Sequence, residues 1–159
     1  ERPPPIQEMI DAGLVPRFIE YLRESEWPDV QHEAAWALTN ICSGCDVQTR
    51  VVVDHGAVPL FVGLLGSNSN DVREQSVWAL GNIAGDSPEL RDIVLREGAM
   101  APTLDMISPQ GDVSANSNAI WALSNYCRGK PKPCFEQVKP AIPILANRLR
   151  RRDEPGWLL

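Results

Sequence analysis

Three pairs of tryptophan and asparagine side chains are the residues of this 159-residue chain best suited to contact a ligand. They lie in the runs Trp36-Ala37-Leu38-Thr39-Asn40, Trp78-Ala79-Leu80-Gly81-Asn82 and Trp121-Ala122-Leu123-Ser124-Asn125. An indole offers a flat aromatic plate, and an amide offers both a hydrogen-bond donor and an acceptor. Because Trp and Asn are four residues apart in each run, a helix places them one turn apart on the same face. Three such pairs in register would suit an extended ligand rather than a small substrate.

The helical spacing predicts that these tryptophans lie away from the core. At about 100° per residue, Leu80 and Ile83 fall roughly 200° and 140° from Trp78, whereas Gln75 and Asn82 fall near it. The same opposition relates Trp36 to Leu38 and Ile41, and Trp121 to Leu123 and Tyr126. The competing interpretation is that the tryptophans are core residues, since burial is the commoner fate of a single Trp.

The tryptophans recur after 42 and then 43 residues, a period that indicates a helical solenoid. Each unit reads as a short helix ending at a glycine, a second helix with a proline near its start, and a longer third helix with the Trp–Asn face. The glycines are Gly13, Gly56 and Gly98, and the prolines are Pro16, Pro59 and Pro102. We interpret Gly44, Gly81 and Gly85 as residues at helix ends. The predicted units are 4–44, 45–86 and 87–129, with a partial fourth unit at 130–152 and a disordered tail at 153–159.

The composition of the chain indicates which classes of partner it favours. Asp and Glu outnumber Lys and Arg by 21 to 15, so a basic partner is favoured and nucleic acid is disfavoured. No apolar run reaches membrane-spanning length and no signal peptide is recognisable, so we expect a soluble intracellular protein without a membrane partner.

Catalytic, metal and cofactor sites are not predicted. The sequence contains no glycine-rich phosphate loop, no HExxH motif and no nucleophile elbow. Cys42 and Cys45 have the spacing of a redox motif, but a helix rather than a strand precedes them. Cys127 and Cys134 are seven residues apart, so they do not complete a zinc site. We interpret the cysteines as reduced thiols.

Several runs resemble the armadillo repeats of importin-alpha. They are Ala34-Ala35-Trp36-Ala37-Leu38-Thr39-Asn40-Ile41, the stretch from Val77 to Asp86 that ends in Ile-Ala-Gly-Asp, and Cys127-Arg128-Gly129-Lys130-Pro131. The resemblance covers roughly residues 3 to 147. It implies an all-α, right-handed superhelical armadillo solenoid of three three-helix repeats plus two helices of a fourth. It also implies a non-enzymatic adaptor that grips Lys/Arg-rich nuclear localisation signals and is found in the cytoplasm and the nucleus.

The resemblance further implies a lysine pocket formed by the Gly44 carbonyl, the Thr49 hydroxyl and the Asp86 carboxylate. The carbonyls at the end of a third helix, near Gly44, already favour a cation. The predicted peptide-binding residues are Trp36, Asn40, Ser43, Gly44, Thr49, Gln75, Trp78, Asn82, Asp86, Asn118, Trp121 and Asn125. Two positions depart from the pattern, because Cys45 replaces a common threonine and Ser117 replaces a frequent arginine.

Two expectations follow for partners. Family members recruit importin-beta through a basic amino-terminal segment, so we expect that partner only if such a segment exists before residue 1. The alternative to peptide binding is an armadillo scaffold whose groove is vestigial and does not bind cargo.

Overall fold

The computed structural model describes residues 5–108 and 112–150, and every regular element within these ranges is helical. The helices up to residue 127 form three successive triples, each with two shorter helices followed by a longer third one. They are α1 (Ile6–Asp11), α2 (Leu14–Tyr21) and α3 (Pro28–Ile41), then α4 (Asp46–Asp54), α5 (Ala57–Leu64) and α6 (Asn70–Asp86), then α7 (Pro88–Arg96), α8 (Met100–Asp105) and α9 (Val113–Cys127).

The glycines between the first and second helices of each triple have the predicted role. Gly13, Gly56 and Gly98 have φ values of 69°, 81° and 82°, a left-handed conformation that a side chain would disfavour. Pro16, Pro59 and Pro102 each lie in the first turn of the helix that follows. These local signals therefore end one helix and start the next, as the sequence predicts.

The third helices form the centre of the solenoid, because α6 packs against α3 on one side and against α9 on the other. Their inward residues are fully buried, with 0% exposure for Leu38, Ile41, Leu80, Ile83, Leu123 and Tyr126. These are the residues that the helical spacing places opposite the tryptophans. The predicted all-α solenoid and its apolar face are therefore confirmed.

One glycine prediction is wrong. Gly81 is buried inside α6, more than one turn before its end at Asp86, and is not a helix-end residue. Gly85 does lie at the end of that helix, and Gly44 follows α3 in the turn before α4. A glycine considered from local sequence alone resembles a helix terminus, but Gly81 lies under the Trp121 side chain of the next triple.

The chain continues beyond the third triple with α10 (Phe135–Val138), a 3₁₀ turn (Lys139–Ala141) and α11 (Ile142–Arg150). Ala141 is fully buried and belongs to the same apolar core as the preceding units. The predicted tail at 153–159 lies outside the described residues.

Candidate functional site

The three tryptophans of the repeated runs share one exposed face, which we call the Trp–Asn face. Trp36, Trp78 and Trp121 lie on α3, α6 and α9 and are 51%, 46% and 40% exposed. The opposite side of each helix is fully buried. The prediction that the indoles lie away from the core is confirmed. An aromatic ring of this size left about half exposed provides apolar area for a ligand.

The asparagines of the same face join successive third helices. Asn82 donates its side-chain amide to the Thr39 carbonyl oxygen at 3.4 Å, and Asn125 donates to the Gly81 carbonyl oxygen at 2.9 Å. Asn125 is buried, and among the described residues its Oδ1 has no hydrogen-bond partner. Asn40 is half-buried one turn after Trp36. These bonds fix the orientation of the amides relative to the indoles.

The structure brings together two of the three predicted pocket residues. Asp86 ends α6, and the buried Thr49 hydroxyl on α4 lies close enough to lower the pKa of the Asp86 carboxyl. The same hydroxyl lies 3.4 Å from the Cys42 carbonyl oxygen and 3.3 Å from the Cys45 carbonyl oxygen. Gly44 is exposed in the turn between these two cysteines, where its N–H donates to Ile41. The three predicted pocket residues therefore come from the end of α6, the turn after α3 and helix α4.

Asp86 is an exposed residue at the end of α6, but its carboxyl group is partly desolvated by its neighbours. Burial raises the pKa of the Asp86 carboxyl above its ordinary value, and the nearby Asp46 carboxylate raises this pKa further. The Thr49 hydroxyl and the positive charge of Arg50 lower the pKa of Asp86 without cancelling the rise. An additional ammonium group beside Asp86 would stabilise its ionised form.

The predicted supporting residues have different environments. The exposed Ser43 donates its hydroxyl to the Asn40 carbonyl oxygen at 2.7 Å. Gln75 is buried three residues before Trp78, and among the described residues its Nε2 has no hydrogen-bond partner. Asn118 is half-buried at the equivalent place on α9. Ser43 is therefore already engaged within its own turn, whereas Gln75 retains an unused donor.

A cavity of about 530 Å³ lies beside the first tryptophan. Its lining includes Trp36 and Asn40 together with Phe18, Tyr21 and Val30. The apolar walls and the adjacent amide would accommodate the aliphatic stem of a long side chain.

Sequence reasoning missed the roles of two arginines that join α7 and α6 to the segment after α9. Arg91 on α7 is fully buried, and its guanidinium forms an ion pair with Asp92 at 2.8 Å. The guanidinium also donates hydrogen bonds to the carbonyl oxygens of Arg128 and Pro131, at 2.7 Å and 2.9 Å. The Arg128 guanidinium in turn lies 3.4 Å from the Gly85 carbonyl oxygen. The position of Arg91 beside the buried Leu90 and Leu95 could have indicated its burial, but its carbonyl partners are 37 and 40 residues further along the chain.

The buried thiol of the predicted redox spacing has an unreactive environment. Cys42 is buried, and burial raises the pKa of its thiol, which makes it a poor nucleophile. Within 5–108 and 112–150 no cluster of His, Cys, Asp and Glu has the composition of a metal site. In the same part of the chain, no helix combines the length and hydropathy needed to cross a bilayer.

Comparisons with known proteins place this arrangement in a family. Residues 2–43, 45–85 and 87–128 each match the armadillo/beta-catenin-like repeat. Importin subunit alpha-2 of Arabidopsis thaliana is 58% identical over 97% of this chain, and importin subunit alpha-B of Dictyostelium discoideum is 52% identical over 97% of it. The chain spans 29% and 30% of the length of these relatives.

A solved structure of a designed armadillo repeat protein, in complex with the peptide (KR)4, has a TM-score of 0.84 and 27% identity to this chain. The match covers 94% of this chain and 62% of that protein. The predicted armadillo solenoid and the resemblance to importin-alpha are thereby confirmed. The chain belongs to the armadillo/beta-catenin-like repeat family.

Proposed function

We propose that this chain binds Lys/Arg-rich peptides in an extended conformation along its Trp–Asn face. The role is that of the cargo-recognition part of a nuclear import adaptor, without catalysis. The observation that supports it most is the half-exposed state of three indoles on three successive packed helices whose other side is fully buried. A purely structural solenoid has no need to expose a large aromatic ring at the same place in each unit.

Basic side chains suit the spaces beside these indoles. The apolar stems of Lys and Arg can lie against the rings, and each cation–π contact stabilises the complex by roughly 0.5 to 2 kcal/mol. The net charge of −6 adds a long-range attraction for a basic peptide. An arginine or lysine between two tryptophans therefore gains both apolar and electrostatic contact.

The amides and the pocket at Asp86 add register and selectivity. Since the half-buried Asn82 uses its Nδ2 group on the preceding helix, we assign its Oδ1 atom to an N–H group of a bound peptide. Asn125 is 1% exposed, so we assign it to holding α9 against α6 beneath the peptide. We assign one lysine ammonium to Asp86, Thr49 and the Gly44 carbonyl, where an ammonium would interact favourably with the partly desolvated Asp86 carboxylate and with the nearby Asp46 carboxylate. Ser43, Gln75 and Asn118 are assigned as supporting contacts.

The known relatives favour this assignment over other peptide-binding roles. The relatives from Arabidopsis thaliana and Dictyostelium discoideum are named importin alpha subunits. The designed armadillo repeat protein was solved in complex with the peptide (KR)4. We accordingly propose nuclear localisation signals as the ligands and a cytoplasmic and nuclear location. An interaction with importin-beta is proposed only for a protein that also carries a basic amino-terminal segment. We propose that this binding surface is built from four repeat units, at residues 4–44, 45–86, 87–129 and 130–152.

Titration of a fluorescein-labelled (KR)4 peptide with the chain tests the proposal. The matched control is a (QS)4 peptide of the same length, and each titration is repeated at low and high ionic strength. We expect saturable binding of the basic peptide that weakens with salt, and no binding of the neutral one. Absence of saturable binding to (KR)4 at low ionic strength would refute the proposal and favour a scaffold with a vestigial groove.

A further inference from the structure

Gly81 lies in the second Trp–Asn run at a position where a side chain would meet the indole of the next run. A Cβ atom built on Gly81 would lie 2.8 Å from Cε3 and 3.2 Å from Cη2 of Trp121, and closer still to Cζ3. Real Cβ atoms do not approach ring carbons this closely, because the contact is inside the van der Waals radii. The Trp121 ring therefore rests on the bare backbone of α6.

The hydrogen bonds of this face show the same close approach. Asn125 donates to the carbonyl oxygen of Gly81 at 2.9 Å and is 1% exposed. One unit earlier, Thr39 occupies the place equivalent to Gly81, and Asn82 donates to its carbonyl oxygen at 3.4 Å while staying half-buried. The amide is thus seated more deeply where the preceding helix has glycine than where it has threonine.

The exposure of the indoles follows the same order. Trp121, which lies on Gly81, is 40% exposed, compared with 46% for Trp78, whose preceding third helix has Thr39 at this place. Glycine inside a helix costs about 0.5 to 1 kcal/mol relative to alanine, so its presence at a buried helical position calls for a packing reason. The ring of Trp121 provides that reason.

We propose that Gly81 is a positioning residue for peptide binding, which seats Trp121 and Asn125 against α6 and so fixes the slot between the second and third tryptophans. This inference rests on the proposed function. Gly81 itself need not touch the peptide. A side chain at this position displaces the indole outward and lengthens the bond from Asn125, so the slot no longer fits one basic side chain closely.

The test compares Gly81→Ala with Gly63→Ala. Gly63 lies in α5, is exposed, and a Cβ built on it meets nothing within 4 Å, so this control changes glycine to alanine in a helix without a new contact. Both proteins are labelled with 5-fluorotryptophan, and the Trp121 resonance is assigned by comparison with Trp121→Phe. We expect Gly81→Ala to shift the Trp121 resonance, and Gly63→Ala to leave it in place.

Affinity for the (KR)4 peptide is then measured in single and double variants. We expect Gly81→Ala to weaken binding about tenfold, equivalent to about 1.4 kcal/mol, and to have no further effect in a Trp121→Ala background. Helical circular dichroism confirms folding, and the double variant Gly81→Ala/Trp121→Phe, with its smaller ring, is expected to recover any loss of thermal stability.

Two results would overturn the inference. The first is an unshifted Trp121 resonance in Gly81→Ala. The second is that Gly81→Ala weakens peptide binding equally in the wild-type and Trp121→Ala backgrounds, which would indicate a general effect on folding. Failure of the wild-type chain to bind (KR)4 refutes the proposed function and the binding role of Gly81 with it. In that case the shift of the Trp121 resonance in Gly81→Ala still tests whether Gly81 sets the position of the indole.

Discussion

Asn125 donates its side-chain amide to the carbonyl oxygen of Gly81 at 2.9 Å, across 44 residues of sequence. This bond links α9 to α6 on the face where the indoles are exposed. The corresponding bond from Asn82 to Thr39 is longer, at 3.4 Å. The Trp–Asn pairs are therefore part of the contact between successive units as well as candidates for contact with a peptide.

The difference between the two bonds predicts a difference in stability. We expect Asn125→Ala to lower the free energy of unfolding by about 1 to 2 kcal/mol, because a buried, short hydrogen bond is lost. Asn82→Ala is expected to lower it by less than about 1 kcal/mol, since its bond is long and only half-buried. Urea denaturation followed by circular dichroism measures both. Equal losses in the two variants would contradict the asymmetry.

Charge reversal at Asp86 tests the lysine pocket. In Asp86→Lys a like charge replaces the carboxylate that we assign to the peptide ammonium, and the expected loss of binding free energy is about 2 to 5 kcal/mol. Asp54→Lys is the matched control, because it makes the same change of charge at the exposed end of α4. Calorimetric titration with the (KR)4 peptide should show near-complete loss only for Asp86→Lys. Similar affinities of the two variants would show that only the overall charge matters.

The raised pKa of Asp86 predicts how peptide binding changes with pH. Binding of an ammonium needs the ionised carboxylate, so affinity falls as the pH falls through this pKa. Because burial and Asp46 raise the pKa, the fall begins at a higher pH than an ordinary aspartate would give. Asp86→Asn should bind weakly at neutral pH and lose most of this pH dependence. A wild-type affinity that stays constant down to the pH of ordinary aspartate titration would argue against a role for Asp86.

The same shift predicts a gain of stability when the charge is removed. A carboxyl whose pKa is raised by folding stabilises the folded state below its unfolded pKa, and this contribution is lost as the pH rises through the folded pKa. Asp86→Asn should therefore unfold at a higher urea concentration than the wild type at neutral pH, with the difference vanishing in acid. Lower stability of Asp86→Asn at neutral pH would show that its carboxylate stabilises the fold.

Arg91 should contribute strongly to the stability of the third unit. Replacing it by Met leaves the carbonyl oxygens of Arg128 and Pro131 without their donor, with an expected cost of about 2 to 4 kcal/mol. Arg96→Met, at the exposed end of the same helix, should change stability by no more than about 0.5 kcal/mol. Thermal denaturation distinguishes the two. A small effect of Arg91→Met would mean that water replaces the guanidinium.

Local periodicity explains which features could be predicted from the sequence. The placement of Leu80 and Ile83 opposite Trp78 depends only on helical geometry, so the exposed and buried faces were predictable. The helix end at Gly56 is equally local. The role of Gly81 could not be predicted from the local sequence, because it depends on the Trp121 ring of the next unit. The burial of Arg91 likewise depends on carbonyl partners far along the chain.

The most direct test of peptide binding on the Trp–Asn face is a titration of labelled (KR)4 peptide with wild type, Trp78→Ala and Trp27→Ala. Trp27 is 63% exposed just before α3 and lies outside the repeated runs, so it controls for loss of an exposed indole. If about four basic side chains contribute roughly 1.5 to 2 kcal/mol each, the wild-type Kd lies between tens of micromolar and about one micromolar. We expect at least several-fold weaker binding for Trp78→Ala, with unchanged helicity, and wild-type binding for Trp27→Ala. Wild-type affinity in a folded Trp78→Ala protein would contradict this expectation.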